Sequence, residues 1–360
     1  MNRIEIRTPA RICLFGDHQD YLGLPVIACA IDRFVFLKAE KNNDKIFSIS
    51  MPDISSERHI SLDNTFEQLE SLDFFGAALR VVKRHGCFPS EGYTVSIQGN
   101  IPINAGVSSS SAIVVAWIHF LLKAFGCNKP VTSQLIAQLA YEAEIVEHDA
   151  PGGRMDQYAI AIGNVLYIDT STNSGFNTIG TTLNGLILAE SGVPKQTLTT
   201  LKDLRSKAVL SIEYVQKKDP KFEIKNSKLS EFEVLKKYIP EDLQAYFYAA
   251  IANHEITQKA LKLFKSDIIN FKLIGKLMNE HHTILKDVLK ITVPTIDTMI
   301  TTALQHEAYG AKIVGSGDGG SIVVLSPPNK EKIIIDALLK NGAKAAYKVS
   351  VTQGSKEINA

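Results

Sequence analysis

The chain is poor in the features that mark several common protein classes. Among its 360 residues there are four cysteines and a single tryptophan. Cys13, Cys29, Cys87 and Cys127 lie far apart with no Cys-x-x-Cys spacing, so neither a disulfide framework nor a zinc site is expected, and buried reduced thiols are. Charge of one sign is also missing. The 39 basic and 38 acidic residues leave a formal +1, too little for a broad basic field, and neither nucleic acid nor an anionic membrane is an expected partner. Hydrophobic runs are broken by charge short of a membrane span. Residues 1–8 are polar and charged, unlike a secretory leader, so the cytoplasm is the expected setting. Internal repeats and low-complexity tracts are absent.

What is present fits a globular α+β protein. With 45% apolar residues and this length, two cores are the natural expectation. β-Branched and aromatic residues predict strands over 4–14, 26–39 and 93–97, and apolar spacing predicts helices over 112–125 and 135–148, then a strand over 163–169. Residues 170–185 turn rich in Ser, Thr, Asn and Gly, which marks a crossing between an N-terminal domain, 1–178, and a C-terminal domain, 179–360. Helices are predicted over 229–238, 243–265, 270–289 and 295–306, followed by a strand over 322–325 and a terminal helix–strand pair.

Five segments carry chemistry. Residues 102–112, Pro-Ile-Asn-Ala-Gly-Val-Ser-Ser-Ser-Ser-Ala, place small residues and four hydroxyls before an apolar helix. Free N–H groups at such a helix start suit a phosphate, and a plain N-cap is the alternative. The segment from Arg11 to Gly23 is an apolar strand that stops at Gly16 and presents Asp17, His18, Asp20 and Tyr21. That cluster suits a polyol; a solvated hairpin turn would also explain it. Glu142, Glu144 and Glu147 share a helix. Glu142 and Glu147 are read as a solvent face, whereas Glu144 is either the same or the single carboxylate of a magnesium site. Pro151-Gly-Gly-Arg-Met-Asp-Gln-Tyr158 brings Asp156 to a helix start, as a cap or as a base kept ionised by Arg11 or Arg154. Finally, Gly315, Gly317, Gly319 and Gly320 crowd six positions between two strand-like runs, more than a hairpin needs. They point to close backbone approach to a ligand or to the first loop.

In this order the segments resemble the GHMP kinases, the small-molecule kinases that include galactokinase, homoserine kinase, mevalonate kinase and phosphomevalonate kinase. Residues 102–112 are similar to the family's Pro-x-x-x-Gly-Leu-Ser-Ser-Ser-Ala loop, with Val107 for leucine and Asn104 where glycine is common, and 315–320 to its C-terminal glycine loop. The galactokinase branch fits best. Residues 11–23 resemble its Arg-Val-Asn-Leu-Ile-Gly-Glu-His-Thr-Asp-Tyr-Asn-Gly signature, with Asp17 for glutamate and Gln19 for threonine; Met155-Asp-Gln157 matches its Met-Asp-Gln.

The resemblance implies the two-domain GHMP-kinase fold with the active site in the inter-domain cleft, and ATP and Mg2+ as co-substrate and metal. It makes Asp156 the match to the catalytic aspartate, assisted by Arg11, and Ser110 and Glu144 the magnesium ligands. Asp17, His18, Asp20, Tyr21 and Gly153 fall on the acceptor side. Asn104, Ala105, Gly106, Val107, Ser108, Ser109, Ser110 and Ser111, with Gly315 and Gly317, fall on the ATP side. The implied acceptor is the anomeric hydroxyl of galactose or a related monosaccharide such as L-fucose, arabinose, a uronic acid or a heptose phosphate. One departure stands out: galactokinases carry Tyr-Asn-x-Arg-Arg after the linker, and this chain has Glu190-Ser-Gly-Val-Pro-Lys-Gln-Thr-Leu-Thr199, closer to mevalonate-type members. Mevalonate is therefore the alternative acceptor, opposed by Asp17 and Asp20 as like charges. A catalytically silent sugar and ATP sensor is the alternative outside enzymes.

Overall fold

The computed structural model describes residues 2–171, 175–194 and 197–358. Strands β1 (Arg3–Phe15) and β2 (Val26–Lys41) form a long antiparallel hairpin with bulges at Pro9/Ala10 and Cys13/Phe15. β3 (Ile46–Met51) and β4 (Ser56–Ser61) make a second hairpin, whose β3 runs parallel to β5 (Tyr93–Gly99) along one half of β2. The other half of β2 pairs with β6 (Val165–Asp169), which pairs with β7 (Gly175–Ile179). Helices α1 (Phe74–Arg84), α2 (Ser109–Phe125), α3 (Ser133–Tyr141) and α4 (Met155–Ile162) belong to the same half of the chain, with α2 and α4 lying on β1 and β2. From Ala112 to Leu122, α2 is buried on nearly every face, which suits an apolar helix between a sheet and other helices.

After β7 the chain changes sheet. β8 (Leu186–Glu190) is followed by the helices α5 (Thr197–Gln216), a short α6 (Phe232–Leu235), α7 (Glu241–Phe264), α8 (Phe271–Thr283) and α9 (Pro294–Gln305). Then come β9 (Gly310–Val314), β10 (Ser321–Leu325), α10 (Glu331–Lys340) and β11 (Ala345–Val349). These four strands form an antiparallel sheet in the order β11-β8-β10-β9. β12 (Lys356–Glu357) returns to pair with β1. The change of sheet falls between Ile179 and Leu186, within the Ser/Thr/Asn/Gly-rich stretch; residues 172–174 of that stretch lie outside the described ones. One hydrophobic core runs from β1 and β2 through α7 and α8 to Val314 and Val323, so the two sheets share packing.

Three helices differ from the sequence expectation, and the one expected over 270–289 is helical to Thr283 and then widens into a π turn, Ile284–Val288. The stretch 229–238 is three single turns, Leu229–Glu231, Phe232–Leu235 and Lys236–Tyr238. Leu229, Phe232 and Leu235 all reach one small apolar cluster, and a spacing of three suits tight turns, whose side chains eclipse at i and i+3. The helix expected over 135–148 widens after Tyr141 into a π turn, Glu142–Val146. The cysteines are free thiols, Cys13, Cys29 and Cys87 buried and Cys127 partly exposed. Among the described residues no helix is long and apolar enough to cross a membrane.

Candidate active site

Arg11 lies on β1 with its side chain 4% exposed, and a buried guanidinium needs acceptors. It finds them across the fold. Its Nε and Nη2 donate to the two carboxylate oxygens of Asp156 at 2.7 and 2.8 Å, a fork matched to a carboxylate, and Nη1 donates to the Gly106 carbonyl at 2.6 Å. Asp156, in the first turn of α4, remains 25% exposed at its side chain. The Ser108 hydroxyl donates to Asp156 Oδ2. Neither residue therefore caps a helix: Ser108 precedes α2 with no side-chain cap, and Asp156 is drawn to Arg11.

The loop before α2 is held open by backbone conformation. Asn104, Gly106 and Ser108 all have positive φ, at 56°, 86° and 61°, and Val107 is fully buried with its carbonyl accepting from the Arg11 N–H at 3.2 Å. The glycine loop packs directly on this one. A Cβ on Gly315 would stand 2.9 Å from the Gly106 carbonyl oxygen, one on Gly106 2.6 Å from the Val314 oxygen, and one on Gly320 3.2 Å from Ala105. Side chains at these positions would part the loops. Gly317 instead meets Ile291, and Gly319 meets Val193.

The turn between β1 and β2 is buried, which rules out a solvated hairpin. Asp17, His18 and Gln19 are 2%, 8% and 0% exposed. Asp17 faces the C-terminal sheet: Oδ2 accepts from Lys312 Nζ at 2.6 Å and Oδ1 from the Gly315 N–H at 3.2 Å. Burial works to raise its carboxyl, but the Lys312 ammonium prevails and holds it below its ordinary value. His18 has φ 63°, its Nδ1 lies 3.3 Å from the Tyr21 hydroxyl, and burial pushes its imidazole down to about 4, so it is neutral at pH 7. Asp20 is pushed up to about 6 by burial and by the nearby charge of Asp156. Gly153 must be glycine, since a Cβ there would fall 2.4 Å from Asp20 Oδ2.

Glu144 points inward from the π turn and is 7% exposed. Its Oε1 accepts from Ser111 at 2.9 Å and Ser110 at 3.3 Å, and its Oε2 from Gln157 at 2.7 Å. Among the described residues only neutral donors compensate it, and burial pushes it up to about 7. An all-oxygen set with one carboxylate and an exposed Ser110 hydroxyl fits magnesium, which takes one or two protein carboxylates and keeps its other places for phosphates and water. No cluster of three or more His, Cys, Asp or Glu that would hold a metal by itself occurs among the described residues.

These groups line one cleft of about 400 Å³, from Arg11, Asp20 and Asp156 to Ser109 and Ser316. Beyond Ser110 it adjoins a cavity of about 520 Å³ lined by Trp117, Phe74, Phe75 and Ile113 together with Glu57, Arg58 and Glu70. The sequence reading missed that cavity, because Phe74 and Phe75 sit on α1, a helix it did not foresee. It missed Lys312 as well, although a lone lysine in an apolar strand run signals a buried charge in search of a partner. It misplaced Glu147, whose side chain is 7% exposed and pairs with Arg80 and Arg84 instead of facing solvent. In the departing segment, Ser191 Oγ donates to the Gly320 carbonyl at 2.7 Å, and Lys195 and Gln196 lie outside the described residues.

Residues 73–164 match the GHMP kinases N terminal domain, 259–345 the GHMP kinases C terminal domain, and 2–41 the galactokinase galactose-binding signature. The chain is 26% identical to a galactokinase of Pyrococcus furiosus over 94% of both chains. It is 27% identical to a mevalonate kinase of Thermococcus sibiricus over 97% of this chain and 96% of that one. A solved structure of Lactococcus lactis galactokinase complexed with galactose superposes with a TM-score of 0.88 at 22% identity, covering 99% of this chain and 95% of that one. At that identity the likeness shows the fold.

Proposed function

Because the chain belongs to the GHMP kinase superfamily, phosphotransferases that use ATP as co-substrate, we propose that it transfers the γ-phosphoryl group of ATP to a sugar hydroxyl. The acceptor is the anomeric hydroxyl of galactose or a monosaccharide sharing its hydroxyl pattern. The observation that carries this reading is the Arg11–Asp156 pair at the junction of the serine loop and the Asp20, His18 and Tyr21 turn. The loop amides from Asn104 to Ser111 cradle the phosphates, and the adenine occupies the cavity beside Trp117.

The acceptor oxygen attacks the γ-phosphorus as the bond to ADP breaks, and Asp156 orients the hydroxyl and receives its proton. With both carboxylate oxygens held by the Arg11 fork and one also accepting from Ser108, Asp156 is fixed in place, and orientation is its larger contribution. Ser110 and Glu144 hold magnesium, which neutralises phosphate charge when bound. Residues 1–178 carry the acceptor turn, the serine loop and Asp156, and 179–360 the glycine loop, as two domains flanking the cleft.

Sugar is favoured over mevalonate because Asp20 and Asp156 already repel each other, and a substrate carboxylate would add a third negative charge. One observation favours mevalonate: Arg205, half-buried on α5, donates to the Ala150 carbonyl at 3.3 Å beside the cleft mouth, where a carboxylate would find it. Measuring ADP release with galactose, its epimers, L-sugars and mevalonate separates the readings, and mevalonate outperforming every sugar sinks the proposal. Asp156→Asn lowers kcat by about two to four decades with nucleotide affinity nearly unchanged; wild-type turnover would remove Asp156 from the mechanism.

A further inference from the structure

Lys312 is the one residue of β9 with a long charged side chain, and that side chain is 0% exposed. A buried ammonium is tolerated only where its protons are all taken. Lys312 Nζ meets this condition with the Asp17 carboxylate at 2.6 Å, the Cys13 carbonyl at 3.1 Å and the Ile313 carbonyl at 2.8 Å. Two of these acceptors belong to the end of β1 and the turn after it, so the contact joins the small sheet to the large one over a separation of 295 residues. Asp17 divides its oxygens: one takes Lys312, the other the Gly315 N–H. Gly315 rests on Gly106 of the serine loop, and the residue after Asp17 is His18, held at positive φ at the edge of the cleft.

We propose that Lys312 is a positioning residue for phosphoryl transfer: through Asp17 it fixes the height of the glycine loop over the serine loop and the pose of the His18–Asp20 turn, setting both substrates at once. Asp17 is then spent on Lys312 and Gly315 and is not itself a contact to an acceptor hydroxyl. This departs from the role that resemblance alone assigns to it. The inference rests on the kinase reading for its catalytic consequence, while the coupling of the two loops is testable by nucleotide binding alone.

The experiment compares Lys312→Met, Asp17→Asn, their double variant and Lys312→Arg by steady-state kinetics, with affinity for the magnesium complex of AMP-PNP and urea melts measured in parallel. Each single variant lowers kcat per folded molecule by about 100-fold, the usual cost of misplacing reacting groups by an ångström, and raises KM for both acceptor and ATP. The double variant falls no further than either single one, because the two residues act as a unit and removing both leaves no unpaired charge. Lys312→Arg, which keeps the charge, recovers most of the loss. The proposal is overturned if Asp17→Asn raises only the acceptor KM while Lys312→Met leaves kinetics intact, or if the two losses multiply. If the singles do not fold, the double variant and Lys312→Arg decide: a double variant that folds but binds AMP-PNP and turns over like wild type also overturns it. Should the wild type phosphorylate nothing, the kinase reading fails; the loop coupling still stands or falls on whether the variants shift AMP-PNP affinity in the same non-additive pattern.

Discussion

Two carboxylates are buried at the lining of the cleft, and they are treated in opposite ways. Asp17 lies against a lysine and is held below its ordinary value; Glu144 lies among two serines and a glutamine and is pushed up to about 7. The first is compensated by a full opposite charge within the fold, so it has no use for a ligand's charge. Among the described residues the second has only neutral donors, and its ionised form gains when a cation arrives. A residue's type and its burial are thus insufficient to assign its role. What compensates its charge separates a strut from a ligand.

The largest effect that tests this contrast is on stability. Removing one partner of a buried ion pair strands the other charge, and Asp17→Asn or Lys312→Met is expected to cost about 3–5 kcal/mol in urea unfolding. A loss below about 1 kcal/mol would mean that water reaches the pair and that Asp17 is open to ligands after all.

Glu144→Gln acts with the opposite sign in metal-free protein. The folded carboxyl titrates near 7 and an unfolded one near 4.5, so between these values the unfolded chain gives up a proton that the folded chain keeps, and stability declines as pH rises. Above pH 7 the penalty is constant, at most about 3 kcal/mol at 1.36 kcal/mol per pK unit. A glutamine carries no such penalty. It fits the same donors if Gln157 turns its amide, because Gln157 Oε1 is buried with no partner and would accept from the new NH2 group. Melting temperatures with a chelator should therefore favour Glu144→Gln at pH 8 and converge with wild type near pH 4.5. A variant less stable than wild type at pH 8 would break the contrast.

This difference between the carboxylates was only half legible in the sequence. The serine loop, Asp156 and the four crowded glycines stand out locally, since small-residue runs and charges at helix starts announce themselves within a few positions. Arg11 was visible too, but as one of two candidate partners; that it and not Arg154 forks onto Asp156 depends on β1 lying beside α4. The pairing of Asp17 with Lys312 joins residues at opposite ends of the chain, and no local pattern carries it. α5 was missed although Leu204, Ala208 and Ile212 are buried at helical spacing, because charged residues between them mask the stripe. The inward turn of Glu144 comes from one extra residue in a helical turn, which periodicity reads as an ordinary helix with three acids on it.

The smallest effect sharpens the contrast from the metal side. Calorimetric titration of magnesium into the ADP complex reads binding without turnover. Glu144→Gln should weaken it most, by deleting the one carboxylate, and Ser110→Ala less, by deleting a neutral oxygen. Ser111→Ala should weaken it least, by about tenfold, since Ser111 serves only to aim Glu144 Oε1 through its 2.9 Å bond. Asp318→Asn, by contrast, should leave magnesium affinity at the wild-type value: Asp318 belongs to the glycine loop but accepts from Thr200 at 2.5 Å, away from Glu144. The order matters more than any single value, because a carboxylate, a direct hydroxyl and an aiming hydroxyl differ in what they give an ion that demands near-octahedral oxygens. If Glu144→Gln and Ser110→Ala bind magnesium as wild type does, Glu144 is a buried acid with a structural partner set, and the difference from Asp17 reduces to how each happens to be paired.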